Sequence, residues 1–142
     1  LPACVTGERI LAIAMTEPDA GSDLAGMRAS AVEKDDHWLL NGAKTWVSGA
    51  PNAGLYLVYA TVAPGTRSKG ITAFVVEKGT PGFIIAREIP MLAGHRTYEL
   101  VFDNCRIPEG QLLGILGPGR EQGGKDVARD DGGVKVQQTG EA

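Results

Sequence analysis

Residues able to do chemistry concentrate in one short stretch, Thr16-Glu17-Pro18-Asp19-Ala20-Gly21-Ser22-Asp23, directly after the apolar run Ile10 to Met15. The Thr16 and Ser22 hydroxyls can donate to phosphate oxygens or to the heteroatoms of a planar ring, and glycine at position 21 lets a ligand approach the main chain. Asp19, Ser22 and Asp23 are also ordinary turn-capping residues, and capping is their commoner use. Trp46-Val47-Ser48 is a second constellation, an aromatic face beside a hydroxyl, although core packing is the commoner role of a tryptophan. His37 and His95 stand singly with no partner pattern, and Trp38 reads as a packing residue. Glu17, Glu88 and Glu99 have the chemistry of general bases, but nothing in the sequence sets one of them beside a reacting centre.

To act together, two such loops must be held at one edge of a scaffold, and the pattern of the chain predicts strands for that scaffold and no helical period. The run Ile10 to Met15 ends at Thr16-Glu17-Pro18, where proline cannot continue a ladder, so a loop must follow. Met27 to Glu33 alternates. His37-Trp38-Leu39-Leu40 and Ala43-Lys44-Thr45-Trp46-Val47 flank Asn41-Gly42, two residues that tolerate positive φ, and the spacing predicts a tight type I′ hairpin. Leu55 to Val62 and Ile71 to Val76 predict core strands on either side of the Pro64-Gly65 and Lys69-Gly70 breaks. Phe83-Ile84-Ile85 and Leu100-Val101-Phe102 add shorter ones among Gly79, Pro81, Pro90 and Gly94. The predicted fold class is all-β, a small barrel or sandwich-like domain. From Arg120 onward, Gly-Gly pairs and scattered charges cannot bury enough surface to offset ordering entropy. One domain is therefore expected at 1–119, with a disordered or non-native tail at 120–142.

Composition bounds the function classes. The chain has 142 residues, 43% hydrophobic and 22% charged, with a formal net charge of -3, so it carries no basic footprint for nucleic acid or an anionic membrane. Cys4 and Cys105 lack the close spacing of a zinc or redox motif, which predicts neither a disulfide framework nor a metal site and fits a reducing, cytoplasmic setting. No apolar run approaches the length of a membrane span. The start at Leu1, without a leader pattern, reads as an internal fragment.

The segment Ala14-Met15-Thr16-Glu17-Pro18-Asp19-Ala20-Gly21-Ser22-Asp23 resembles the signature that acyl-CoA dehydrogenases carry at the start of their middle domain. The likeness continues in register through Leu40-Asn41-Gly42-Ala43-Lys44-Thr45-Trp46-Val47-Ser48 and then Gly70-Ile71-Thr72-Ala73-Phe74-Val75-Val76-Glu77-Lys78-Gly79-Thr80-Pro81-Gly82. It ends near Phe102-Asp103-Asn104-Cys105-Arg106-Ile107-Pro108, covering roughly Leu1 to Gly119. It departs at Leu92 to Leu100, where many relatives have a longer turn, which leaves Arg96 and Tyr98 without a role. It departs again after Gly119, where relatives begin a long helix.

The resemblance implies a β-domain lying between two helical domains and holding FAD. By it, Met15 and Thr16 contact the isoalloxazine, and Ser22 lies at the entrance for the cofactor and the CoA thioester. Trp46 covers one flavin face, Ser48 reaches the flavin N5 region where many relatives use threonine, and Gly21 and Val47 contribute close backbone approach. The implied reaction is α,β-dehydrogenation of an acyl-CoA, in which a carboxylate takes the α-proton while hydride passes from the β-carbon to the flavin. In the family that base is a glutamate of the C-terminal helical domain, so the resemblance assigns this chain no catalytic residue, and it implies no metal. It further implies an electron-transfer partner and a homotetrameric parent. An acyl-CoA oxidase is the nearest alternative, and a non-redox β binding module is the alternative of a different class.

Overall fold

The computed structural model describes residues 2–113, so the tail expected at 120–142 lies outside the described residues. A single helical turn, α1 (Pro2–Val5), precedes eight strands: β1 (Leu11–Ala14), β2 (Ser30–Glu33), β3 (His37–Ser48), β4 (Leu55–Thr61), β5 (Ile71–Glu77), β6 (Phe83–Pro90), β7 (Arg96–Pro108) and β8 (Leu112–Leu113). They form one mixed sheet in the order β6-β7-β3-β2-β4-β5-β8, with β1 also paired to β4. The all-β expectation therefore agrees with the structure, although α1 was not expected. β6 and β8 end the strand order among the described residues, so the sheet is not a closed barrel.

β4 is the hinge of the arrangement. Its one edge pairs with β5 throughout, and its other edge is shared, β1 lying parallel to Leu55–Val58 and β2 meeting it only where Ser30 pairs with Thr61. The two halves of the sheet are thus joined by a narrow connection and can fold face to face. The aromatic rings record that closure. Trp38 on β3 lies 5.5 Å from Phe74 on β5, Tyr56 on β4 meets the edge of Phe83 on β6 at 4.6 Å, and Phe83 stacks on Phe102 of β7 at 5.1 Å. Residues of β1 to β5 and β7 supply the buried layer, among them Leu40, Val58, Ala60, Val76 and Leu100, and Phe83 and Ile85 of β6 and Leu112 of β8 pack against it partly buried.

The tight hairpin expected at Asn41-Gly42 is absent, because β3 runs straight through both residues. The hairpin lies earlier, between β2 and β3, where Glu33 pairs with Trp38 and the Lys34 amide donates to the His37 carbonyl at 2.8 Å. Asn41 and Gly42 serve an irregularity in the β3–β7 ladder instead. Leu40 pairs with Cys105 and Gly42 with Phe102, and the Asn41 Oδ1 accepts the Asn104 amide at 2.7 Å. Gly42 has φ +139, and a Cβ there would come within 2.6 Å of the Ala29 Cβ. A remote strand partner and a remote alanine thus decide a geometry that the dipeptide alone does not encode.

β7 likewise extends well beyond Leu100-Val101-Phe102, and β6 continues to Pro90, which an end strand of the order tolerates. Among the described residues no helix is long and apolar enough to cross a membrane. Both cysteines are free. Cys105 is fully buried, and burial pushes its thiol up to about 11, so the reactive thiolate is scarce near neutrality. Cys4 is partly exposed. With a chromogenic disulfide reagent at pH 8, the folded chain should release one equivalent promptly, from Cys4. The second should appear only at the rate of unfolding, and two prompt equivalents would contradict the burial of Cys105.

Candidate functional site

Between the end of β1 and the start of β2, residues 15–29 leave the shared edge of β4 and return to it. The excursion begins with a tight reversal in which Glu17 and Ala20 exchange backbone hydrogen bonds of 3.0 and 3.2 Å around Pro18-Asp19. The missing N–H of proline costs nothing at that turn position. Glu17 is buried, only 5% exposed, and its carboxylate is fully engaged. It accepts the Arg28 amide at 2.6 Å, the Ala29 amide at 3.0 Å and the Lys44 ammonium at 2.7 Å. The first two bonds tie the far end of the excursion to its beginning. With these donors satisfied, Glu17 holds structure and has no free edge to serve as a base.

Lys44 comes from β3 and has no exposed side-chain surface. Its Nζ donates to Glu17 and to the Met15 carbonyl at 3.1 Å, and lies 4.0 Å from Met27 Sδ. Burial presses its ammonium below the ordinary lysine range, while the hydrogen bond and charge of Glu17 oppose that shift. The next residue repeats the pattern in the main chain, the Thr45 amide donating to the Thr16 carbonyl at 2.8 Å. Consecutive residues of β3 therefore grip consecutive carbonyls of the loop, and this joins the two constellations that the sequence singled out.

Trp46 follows immediately. Along β3 the even-numbered Trp38, Leu40 and Lys44 are buried, and strict alternation would send Trp46 inward too. A bulge prevents it. Lys44 pairs with Leu100 and Val47 with Tyr98, so Thr45 and Trp46 together oppose Glu99 alone. The phase reverses, Val47 enters the core, and Trp46 is turned outward, 53% exposed, with φ +60. A bulky residue in the left-handed region costs about 1–2 kcal/mol, and such strain gathers at functional sites. Ser48 is exposed next to it, its Oγ 3.1 Å from the Nε2 of His95 on the segment between β6 and β7.

The structure thus brings Met15 and Thr16 against the strand that carries Trp46, Val47 and Ser48. Met15 and Thr16 are half-buried, and Val47 offers only its main chain because its side chain is in the core. Neither the Thr16 nor the Ser22 hydroxyl has a hydrogen-bond partner among the described residues. Gly21 and Ser22 are exposed beyond the reversal, with open space around Gly21, and no hydrogen bond joins them to Trp46 or Ser48. Asp23 makes no side-chain cap and instead pairs with Arg67 at 2.9 Å, and Asp19 pairs with Arg28 at 3.2 Å. Sequence reasoning missed Lys44 and His95. For Lys44 a signal existed: it shares the parity of Trp38 and Leu40, so the alternation already placed a lysine on the inward face. His95 reaches Ser48 through the β3–β7 pairing, in which Ser48 lies opposite Thr97, and no local pattern reveals that.

The family model described as "Acyl-CoA dehydrogenase, middle domain" matches residues 12–105. Isovaleryl-CoA dehydrogenase, mitochondrial, of Pongo abelii is 44% identical over 118 residues, covering 80% of this chain and 28% of that protein. The structure of butyryl-CoA dehydrogenase from Megasphaera elsdenii superposes with a TM-score of 0.78 at 35% identity, covering 82% of this chain and 31% of that one. The FAD complex of PigA superposes with a TM-score of 0.76 at 40% identity, covering 82% and 31%. The chain therefore spans less than a third of the length of these relatives.

Proposed function

From the premise that this chain belongs to the acyl-CoA dehydrogenase family, as its middle domain, we propose that it holds FAD for the α,β-dehydrogenation of an acyl-CoA thioester by a longer enzyme. The observation that carries this reading is Trp46, turned outward at φ +60 by a bulge beside Met15 and Thr16. A flat aromatic face next to a hydroxyl with no protein partner suits a planar heteroaromatic ring with a polar edge, so the residues present fit a flavin. The binding of FAD by the similar PigA supports the same choice. When bound, FAD would supply the two-electron acceptor of the reaction.

In this reading each residue has a binding task. Trp46 covers one ring face and excludes water from it. The Thr16 hydroxyl and the main chain of Met15 meet the polar edge. Ser48 donates near the reacting side of the ring, with His95 fixing its hydroxyl. Val47 contributes its backbone, and Gly21 with Ser22 lines the entrance, where Ser22 also meets the thioester end of the substrate. No residue of this chain is assigned as the base, and no metal is required. An acyl-CoA substrate, an electron-transfer partner, a tetrameric parent and a domain ending near Gly119 belong to the same proposal. So does a reducing compartment, which the sequence reading takes as the cytoplasm, although the isovaleryl-CoA dehydrogenase it resembles is a mitochondrial protein.

The test is a titration of the chain with FAD, followed by flavin and tryptophan fluorescence. Saturable quenching is expected, and Trp46→Ala should raise the Kd about tenfold, equivalent to about 1.4 kcal/mol, while leaving the thermal midpoint near that of the parent. A folded chain that stays silent both alone and when fused to family-like helical domains would sink the flavin reading.

A further inference from the structure

We infer that the buried Lys44–Glu17 pair is a positioning device for FAD, holding the main chain of Met15 and Thr16 in register with Trp46 without touching the cofactor itself. The inference rests on the flavin reading above and concerns how that site keeps its shape. Three facts carry it. The Glu17 carboxylate closes the neck of the excursion by accepting from both the Arg28 and Ala29 amides. The Lys44 ammonium, bonded to the same carboxylate, reaches past it to the Met15 carbonyl at 3.1 Å. The neighbouring Thr45 amide takes the Thr16 carbonyl, and the bulge that exposes Trp46 starts at that residue.

Stability alone is a weak reason for such a pair. A buried ion pair can often be replaced by apolar groups of similar volume at little cost in stability, whereas removal of one partner is severe. A methionine at position 44 could fill the space of the lysine stem. It could not hold a carbonyl oxygen in place. The Met15 carbonyl needs a donor, and an ammonium anchored by a second, immobile carboxylate supplies one with almost no freedom to wander. Loss of that donor should let the Met15–Thr16 peptide rotate, so that the Thr16 hydroxyl and the Trp46 face no longer meet one ring together. Lys44 and Glu17 are therefore positioning residues, acting through the loop.

The experiment compares the chain with the double variant Lys44→Met/Glu17→Gln, in which no charge is left uncompensated and the glutamine oxygen can still accept an amide of the neck. The expected result is a folded protein with at least a tenfold higher Kd for FAD, an altered visible band shape of the bound flavin, and faster hydrogen exchange at the Thr45 amide. A purely structural pair would move the thermal midpoint and leave affinity and band shape of the folded protein unchanged, which would overturn the inference. Should the double variant not fold, Lys44→Arg takes its place, because it keeps the charge opposite Glu17 while its planar fork cannot reproduce the single ammonium shared between Glu17 and the Met15 carbonyl, and it is judged by the same readouts. If the unmodified chain and its helix-extended form both bind no FAD, the flavin reading fails and takes this inference with it. Binding by the unmodified chain with unaltered binding by the variants defeats the inference alone.

Discussion

Gly42→Ala should destabilise the domain by about 3 kcal/mol, combining left-handed backbone strain with overpacking. The added Cβ would sit 2.6 Å from the Ala29 Cβ and 2.7 Å from its Cα, and neither atom can swing aside like the end of a long side chain. Ala29 is itself pinned, since its amide donates to Glu17 and its carbonyl accepts from Thr61. In a solvent-facing hairpin turn the same change would carry only the backbone strain, about 1–2 kcal/mol, with no collision added, and urea denaturation measures the difference. The close approach also predicts its own suppressor. Ala29→Gly alone should be mildly destabilising, yet in the Gly42→Ala background it should recover part of the loss, giving a coupling energy on the order of 1 kcal/mol. Strict additivity of the two changes would show that the residues do not collide.

Phe74→Ala should cost about 3–5 kcal/mol, the range for emptying a buried aromatic site. Phe74 has no exposed surface and its ring meets Trp38 from the opposite half of the sheet, so its loss removes a contact that no ladder hydrogen bond replaces. For a domain of about this size the thermal midpoint should fall by roughly 15–20 °C. Tryptophan emission should shift as well, because the Trp38 ring would border a cavity. Ile84→Ala on β6, at a side chain that is 54% exposed, serves as the control and should change stability by less than about 0.5 kcal/mol. A loss at Phe74 no larger than at Ile84 would mean that the two halves of the sheet are not packed through these rings.

Core strands were legible in the sequence, because Leu55 to Val62 and Ile71 to Val76 are runs of β-branched, aromatic and other apolar residues on either side of the Pro64-Gly65 and Lys69-Gly70 breaks. What sequence could not show was decided across long distances. Asn41-Gly42 has every local property of a tight turn, and the pairing of β3 with β7 and the contact with Ala29 overrule it. The actual turn before His37 is made by charged residues, which carry a weaker turn signal than Asn-Gly. At the site, the Thr16 and Trp46 loops were legible as chemistry-bearing types, and their resemblance to a known signature brought them together. The bulge at Thr45-Trp46 was hidden, since a reversal of alternation becomes visible only against the partner strand. The engagement of Glu17 by two amides and a lysine was equally out of reach, because two of its three partners are main-chain groups common to nearly every residue.

The closure of the excursion by a side chain also bears on how this protein can diverge. A loop whose ends are fastened only by its own contents must keep those contents. Here the stem is fastened by the Glu17 carboxylate on the Arg28 and Ala29 amides, outside the segment from Pro18 to Met27. Doubling the length of such a closed segment adds only about 0.6 kcal/mol of closure entropy. Length added in the exposed stretch beyond Ser22 should therefore cost the stem little, whereas Ala20, bonded back to Glu17, and the buried Met27 tie the two ends of the segment to the sheet.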